Sequence, residues 1–346
     1  SIEKQSVGHP IHTMLCTSGL LRGSGGLGVR RLMSACGGAS SIAGGVRTLR
    51  GGENNNNKWL DQAQRRGMSK STGFDAEVLK LYRIVNTNLV PMWAKIVETV
   101  GKESGGKGSV LDLASGPGNP SMQLAEAFPQ LKVKCTDASP DMVDKAKALA
   151  KEKGLYDKLE FEVLDLEDLS AIPSGSQDMV TVSLGFMFPE DLKKSVEEVH
   201  RVTKPGGTLV TTVWREVPMM ELVADVMEEL LNKKLPPPAI NPLSLKENSA
   251  LDGPLQDAGF EIKSSEELPI TFNLGTREEA WQVGTLFDRA MLNELQESGE
   301  EGDVFGKFRT IFEEKAEGMW IQDGDSEVLC MPDPGIYRLV VAKKPL

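Results

Sequence analysis

The sequence is poor in the residues that bind metals and form disulfides. It contains four cysteines and three histidines in 346 residues. Cys16 and Cys36 lie close to the start, and Cys135 and Cys330 are far apart without Cys-x-x-Cys spacing. This pattern predicts neither a zinc ligand set nor a disulfide framework. Two cysteines in the main part of the chain favour a reducing compartment.

The sequence also lacks a long apolar run and, in its main part, an excess of basic residues. Without a stretch of membrane-spanning length, we expect no membrane span. The net charge is −11, yet the first 52 residues hold six basic residues and one acidic residue. The remainder therefore carries 33 basic and 49 acidic residues, a net charge of −16. Such a body repels polyanions, so we do not expect nucleic acid as a partner.

Residues 1–57 differ from the rest in composition. They are rich in Gly, Ser, Ala and Arg, and they end in a run of four asparagines. This composition predicts an organellar transit peptide and a disordered linker, and hence a mitochondrial or plastid location. A low-complexity extension of a cytoplasmic enzyme is the alternative. Residues 58–346 are expected to form the folded domain.

The most informative stretch reads Val-Leu-Asp-Leu-Ala-Ser-Gly-Pro-Gly-Asn-Pro-Ser, residues 110–121. A short apolar run leads into a turn with Gly116 and Gly118 and then into a helix start, the first unit of a doubly wound α/β fold. A dinucleotide site needs a third glycine, but Ser121 stands there and Asp112 precedes the turn. A carboxylate repels phosphate, so the turn predicts a nucleoside ligand that carries a positive group.

The next strands also end in acidic residues. Asp137 closes the second strand about twenty residues after the glycines, where α/β folds place the carboxylate that binds ribose. The alternative for Asp137 is a cap for the helix that begins near Ser139. The third strand ends at Asp165, for which a solvated acidic loop is the alternative.

Further strands are predicted at residues 178–185 and 207–214, near 260–272 and at 336–343. The whole pattern predicts an α/β protein with a doubly wound, seven-stranded, mainly parallel sheet. The cofactor-binding core would span residues 105–215, with helical inserts near 216–250 and 276–335. Residues 74–100 have the apolar spacing of a long amphipathic helix, which Pro91 is expected to kink or divide.

Four motifs in this order support a family resemblance: Asp112-Leu-Ala-Ser-Gly-Pro-Gly118, Asp137-Ala-Ser139, Asp165-Leu-Glu167 and Arg201-Val-Thr-Lys-Pro-Gly-Gly207. With them the chain resembles class I S-adenosylmethionine-dependent methyltransferases. The subgroup it resembles most is the small-molecule one of the ubiquinone and menaquinone C-methyltransferases (methyltransferase type 11). The resemblance implies a Rossmann-like fold and S-adenosylmethionine as the cofactor.

The resemblance also implies a set of cofactor-binding residues. The glycine turn would pass under the methionine part with Asp112 near the ammonium group, Asp137 would hold the ribose diol, and Asp165 would accept from the adenine amino group. The end of the fourth strand would face the methyl group. The full set is Asp112, Ala114, Ser115, Gly116, Gly118, Asp137, Ala138, Ser139, Asp165, Leu166, Ser183 and Gly185.

The sequence says less about the substrate than about the cofactor. The two inserts are expected to meet above the strand ends as a roof, and candidate substrate residues are Tyr82, Phe186, Met187 and Met220. Ordinary core packing is the alternative for the residues after the fourth strand and for Met220. The sequence identifies no catalytic base, since His200 lies on a helix beside inward-facing valines and is interpreted as structural.

Three functional readings follow. The first is transfer of a methyl group from S-adenosylmethionine to a small molecule, by in-line displacement. The acceptor could be a quinone or phenol ring, a sulfur-containing small acid or an amine. The alternatives are a protein methyltransferase and a cofactor-binding, non-catalytic assembly subunit. The oligomeric state is not predicted.

Overall fold

The computed structural model describes residues 76–235, 241–286, 288–299 and 302–346. All of them belong to one unit, Asn54–Leu346. The predicted transit peptide and linker, residues 1–57, lie outside the described ranges. Within those ranges no helix is both long and apolar enough to cross a bilayer. Nor do the described side chains bring three potential metal ligands together.

The main sheet has seven strands in the order β3-β2-β1-β4-β5-β10-β6. The pairs from β3 to β5 are parallel, and β10 runs antiparallel to both of its neighbours. This arrangement confirms the predicted doubly wound, Rossmann-like methyltransferase fold. The strands are β1 Lys107–Leu113, β2 Gln130–Asp137, β3 Leu159–Val163, β4 Gln177–Ser183, β5 Thr203–Glu216, β6 Glu261–Ile270 and β10 Gly335–Lys343.

Helices cover both faces of this sheet, which explains why its central strands read as nearly continuous apolar runs. Two buried apolar clusters, one on each face, form the core. The helices are α1 Ala76–Ser104, α2 Ser121–Ala127, α3 Pro140–Glu152, α4 Leu192–Val202, α5 Pro218–Leu230, α6 Asn248–Asp257, α7 Arg277–Gly284, α8 Arg289–Ser298 and α9 Val304–Lys315.

Local sequence signals account for several helix starts. The Ser139 hydroxyl accepts from the Met142 N–H at the start of α3, and Pro140 occupies the first turn. Thr276 and Glu279 form a reciprocal capping box at α7. Helix α1 is continuous through Pro91, so this proline does not divide the helix, and the kink stays a prediction.

The second insert contains a small sheet that the sequence did not predict. Its strands are β7 Asn273–Thr276, β8 Trp320–Asp323 and β9 Ser326–Cys330, in the order β7-β9-β8. The insert leaves the main sheet after β6 and returns at the start of β10. Because β6 runs in the same direction as β5, the insert emerges at the edge where the parallel strands end.

The first insert and the second meet at this edge, as predicted. Helix α5 follows the end of β5 and packs against α9. The Lys315 Nζ atom lies 2.7 Å from Glu229 Oε2 across this contact. Helix α1 joins the same group of elements through Asn88, which is only 8% exposed. The Asn88 side chain exchanges two hydrogen bonds of 2.9 Å with the backbone N–H and C=O of Asn273.

Candidate functional site

The loops after β1, β3 and β4 converge at one point of the sheet edge. Gly185 marks this point, because a Cβ atom added there would lie 2.8 Å from the Ala114 Cβ and 3.7 Å from Leu166 Cδ1. The strand order reverses between β1 and β4, and ligands of open α/β sheets bind at such a reversal. Three of the predicted segments are therefore in contact where a ligand site is expected.

The glycine turn after β1 is held from below by β2. The N–H and hydroxyl of Ser115 both donate to the Thr136 carbonyl at 2.9 Å. Ala114 and Gly116 adopt the left-handed region, with φ of 51° and 53°. A Cβ atom at Gly116 would meet nothing within 4 Å. The backbone of this turn therefore borders open space on the side away from the sheet.

Asp137 connects the glycine turn to the start of α3. One carboxylate oxygen accepts from the Gly116 N–H at 2.9 Å, and the other accepts from the Ser139 N–H at 2.9 Å. The side chain is half-buried. Since each carboxylate oxygen has two acceptor positions, one on each oxygen remains for a ligand. Asp137 thus supports the glycine turn and still offers the acceptors that a ribose diol needs, while Ser139, and not Asp137, caps the helix that follows.

Asp112 does not occupy the position predicted for it. The side chain has 0% exposure and lies beneath the turn. One oxygen accepts from the Ser121 hydroxyl at 2.5 Å and the Ser121 N–H at 3.1 Å, and the other accepts from the Thr181 hydroxyl at 2.6 Å. Protein atoms cover this carboxylate on all sides, so the structure gives no support to the predicted place of Asp112 near a cofactor ammonium group. Asp112 instead ties β1 to α2 and β4.

Burial also alters the acidity of Asp112. Desolvation raises the pKa of its carboxyl to about 6, although the hydrogen bonds from Ser121 and Thr181 act in the opposite direction. Ser121, which stands where a dinucleotide motif has its third glycine, is thus the main hydrogen-bond partner of Asp112. The sequence placed the two residues in one motif but could not show that they bind each other.

Asp165 and Leu166 lie on the loop after β3. The Asp165 side chain is exposed, and one of its oxygens accepts from the Glu167 N–H at 2.8 Å. Leu166 is buried and lies next to Gly185. Ala138 is exposed at the end of the neighbouring strand β2. The predicted adenine-binding residues therefore border the same crevice as the glycine turn, with a free acceptor on Asp165.

The end of β4 presents hydroxyl groups that the sequence only partly identified. The Ser183 and Thr212 hydroxyl oxygens are 3.4 Å apart. The Leu184 N–H donates to the Thr212 carbonyl and hydroxyl oxygens at 3.1 and 3.2 Å. Thr212 is 0% exposed and was not predicted as a site residue; its only signal was a threonine pair within the apolar stretch 209–214 of strand β5.

The candidate substrate residues separate into core and surface. Phe186 is 1% exposed and packs in the core cluster on one face of the sheet, which agrees with the core-packing alternative for this residue. Met187 is 8% exposed in the core cluster on the other face, and Met220 packs partly buried against that cluster. Phe188 is 46% exposed and presents the apolar surface that was expected of Phe186. The side chain of Tyr82 lies outside the described part of the structure.

His200 lies away from this edge of the sheet. It is on the last turns of α4, next to the start of β5, where its ring meets Phe260 edge to face at 4.9 Å. Burial and, to a lesser extent, Lys344 lower the pKa of His200. This packing agrees with the structural role predicted for it.

Neither of the two tyrosines whose side chains the structure describes is placed as a base. Tyr156 is exposed and stacks on Phe161 with the Lys151 ammonium above its ring. Tyr337 is buried near the start of β10, and burial raises its pKa to about 12. A phenol with that pKa stays protonated at neutral pH.

The residues at this edge fit the implied cofactor in three of its parts. An open glycine backbone can approach the methionine chain, Asp137 retains acceptors for two ribose hydroxyls, and Asp165 retains an acceptor for an amino group. The ammonium group has no partner in Asp112. The donor and acceptor chemistry is that of an adenosyl group, without a phosphate-binding third glycine.

Comparison with known proteins agrees with this chemistry. Residues 110–207 match the family described as "Methyltransferase domain". A demethylmenaquinone methyltransferase from Thermus thermophilus is 36% identical over 102 residues, which is 29% of this chain and 44% of that protein. The ubiquinone/menaquinone biosynthesis C-methyltransferase UbiE of a Geobacter species is 27% identical over 158 residues, 45% of this chain and 66% of that protein.

The chain thus spans between about two fifths and two thirds of the length of these curated relatives. A solved putative methyltransferase from Bacillus halodurans is 20% identical, with a TM-score of 0.45 over 71% of this chain and 99% of that one. The sequence matches confirm the resemblance to class I S-adenosylmethionine-dependent methyltransferases of the UbiE type, and with it S-adenosylmethionine as the cofactor of the domain.

Proposed function

We propose that this chain, with its class I S-adenosylmethionine-dependent methyltransferase domain, methylates a small molecule, and that its acceptor is the ring carbon of a quinol. The observation that carries the methyl transfer is the half-buried Asp137 beside an open glycine turn. The printed names of the two relatives, a demethylmenaquinone methyltransferase and a ubiquinone/menaquinone C-methyltransferase, favour the quinol.

The surroundings of the crevice support an acceptor that needs no protein base. Among the described residues, His200 packs against Phe260 at the C-terminal end of α4, and Tyr337 keeps its proton at neutral pH. A quinol ring supplies its own electron density to the ring carbon through its oxygens, so alignment with the methyl donor is the main requirement. The carbon takes the methyl group, S-adenosylhomocysteine leaves, and the ring proton is lost to solvent as the aromatic ring re-forms. An alcohol would need a group that removes its proton, and the described crevice offers none that suits.

The residues would contribute mainly by orientation and exclusion of water. S-adenosylmethionine supplies an electrophilic methyl group on a sulfonium ion. Asp137 and the glycine turn would fix the adenosyl and methionine parts, and Ser183, whose hydroxyl lies 3.4 Å from that of the buried Thr212, would border the methyl side. The roof of α1, α5 and the second insert would keep water from the reacting atoms. Its apolar side chains suit a prenylated ring.

The test is transfer of labelled methyl groups from S-adenosylmethionine to 2-prenyl-1,4-naphthoquinone, in reduced and oxidised form. We expect label in the organic extract with the quinol and none with the quinone, whose ring is electron-poor. The Asp137→Ala variant is the matched control and should transfer far less label at a cofactor concentration below its weakened Kd. Label in a protein fraction, or in an added amine or thiol but not in the quinol, would refute the proposed acceptor.

We further propose that the protein acts in an organelle, on the strength of the composition of residues 1–57. A fusion of residues 1–57 to a fluorescent protein, compared with the free fluorescent protein, tests this location. Retention in the cytoplasm would contradict it. The acidic remainder of the chain also favours a small molecule over nucleic acid as the partner.

A further inference from the structure

The loop after β3 carries a carboxylate that the cofactor site does not use. Glu167 follows the Asp165-Leu166 pair, and its Oε1 accepts from the Glu190 N–H at 2.7 Å and the Asp191 N–H at 3.1 Å. These two N–H groups belong to the loop between β4 and α4, which we call the acceptor loop (residues 184–191). One side chain thus joins the adenine side of the crevice to the acceptor side.

A second contact joins the same two loops closer to the crevice. Leu166 lies beside Gly185, so the two loops touch at the first residues of the acceptor loop as well as at its last. At its start the acceptor loop is held by the Leu184 N–H bonds to Thr212. Between these two fixed ends lie Phe186 to Phe188, whose last ring is exposed. Glu167 therefore sets where the loop ends.

The rest of the loop after β3 is fixed to helix α4. The Leu169 N–H donates to Glu198 Oε2 at 2.9 Å, and the Leu169 carbonyl accepts from Arg201 Nη2 at 2.7 Å. Arg201 and Glu198 are themselves paired at 2.7 Å. The segment after Asp165 and Leu166 is therefore held at two places on α4, by Glu198 and Arg201 near its C-terminal end and by Glu167 at its N-terminal end.

We propose that Glu167 is a positioning residue that couples occupancy of the adenine subsite to the conformation of the acceptor loop. This inference rests on the proposed function, since it assumes an adenosyl ligand at Asp165. Coupling between two sites is reciprocal, so an ordered acceptor loop would also favour the adenosyl ligand. Couplings of this kind amount to about 5- to 150-fold in affinity.

The experiment is hydrogen exchange of residues 184–191 with and without S-adenosylhomocysteine, in the full chain. We expect the ligand to slow exchange of these amides by about tenfold in the native protein and by less than about twofold in Glu167→Ala. Glu167→Gln keeps an acceptor oxygen at the same place, so it should restore most of the protection. Adenosine alone should protect the loop, and methionine alone should not, because the coupling starts at the adenine side.

Glu197→Ala is the matched control, since Glu197 is an exposed glutamate on α4 that pairs with Lys193 at 3.8 Å. It should behave like the native protein. Equal protection in the native protein and Glu167→Ala, with S-adenosylhomocysteine bound to both, would overturn the coupling. Failure of the native protein to bind S-adenosylhomocysteine would instead overturn the proposed function. If Glu167→Ala does not fold, loss of the protection in the folded Gln variant would count against a role for the acceptor oxygen.

Discussion

Replacement of Asp137 by Ala should remove the ribose subsite. In the structure its two oxygens each accept one backbone N–H, from Gly116 and Ser139, and each keeps one acceptor position for a hydroxyl. A hydrogen bond to a charged group contributes about 1.5 kcal/mol at the lower end. Two such bonds make about 3 kcal/mol, which corresponds to a roughly hundredfold weaker Kd for S-adenosylhomocysteine.

Calorimetry with S-adenosylhomocysteine measures this loss, and an analogue without ribose hydroxyls identifies its cause. The native protein should bind the analogue about as weakly as Asp137→Ala binds the natural ligand, and the variant should not distinguish the two ligands. Asp144→Ala is the control, because it removes the same charge from an exposed position on α3 where Lys147 is the partner. Unchanged affinity in a folded Asp137→Ala protein would refute the ribose assignment.

Three further predictions concern the supports of the site. Burial raises the pKa of Asp112 to about 6, so the folded state binds this proton more tightly than the unfolded state and loses stability as pH rises from about 4 through 6. Asp112→Asn should remove about 3 kcal/mol of this pH dependence of the free energy of unfolding, as measured in urea. Parallel curves of stability against pH for the two proteins would contradict it. Gly185→Ala should lower the melting temperature, since the added Cβ would lie 2.7 Å from a neighbouring side chain. A Cβ at Gly253 would meet open space, so Gly253→Ala should not lower it, and equal melting temperatures for the two variants would be incompatible with this packing. Asn88→Ala should reduce the free energy of unfolding by about 2 kcal/mol, because it leaves two backbone groups of β7 unpaired. Thr87→Ala loses one exposed hydrogen bond and should change the free energy of unfolding little; similar losses in both variants would argue against the contact.

The strands and helix starts of the core could be predicted because their signals are local. Ser139 followed by Pro140 predicts a helix start, and the structure has both in those roles. Most strands of the main sheet appeared as an alternating or continuous apolar run, whereas β6 is mostly polar and was placed only near residues 260–272. The small sheet of the second insert was missed, since β7 and β8 have four residues each and little apolar character. Strands that short are specified by their partners in the sheet rather than by their own sequence.

In the candidate site, too, some features could be predicted from the sequence and others could not. The positions of Asp137 and Asp165 follow from their places at strand ends, where topology alone brings them to one edge. The burial of Asp112 does not follow, because it depends on which side of β1 the residue faces and on the two hydroxyls that meet it there. Phe186 and Phe188 are two residues apart in one apolar run, and only the loop's path decides that the first is buried and the second exposed.

The contact between Asn88 and strand β7 has a consequence for how such proteins diversify. The floor of the crevice is built from backbone groups of neighbouring strands, which leave little freedom for change. The roof is joined across long sequence distances by apolar packing and a few polar contacts, such as Asn88 with Asn273 and Lys315 with Glu229. Substitutions in the inserts can therefore accumulate while the floor keeps its shape. Divergence in the methylated compound would then arise without loss of the methyl donor.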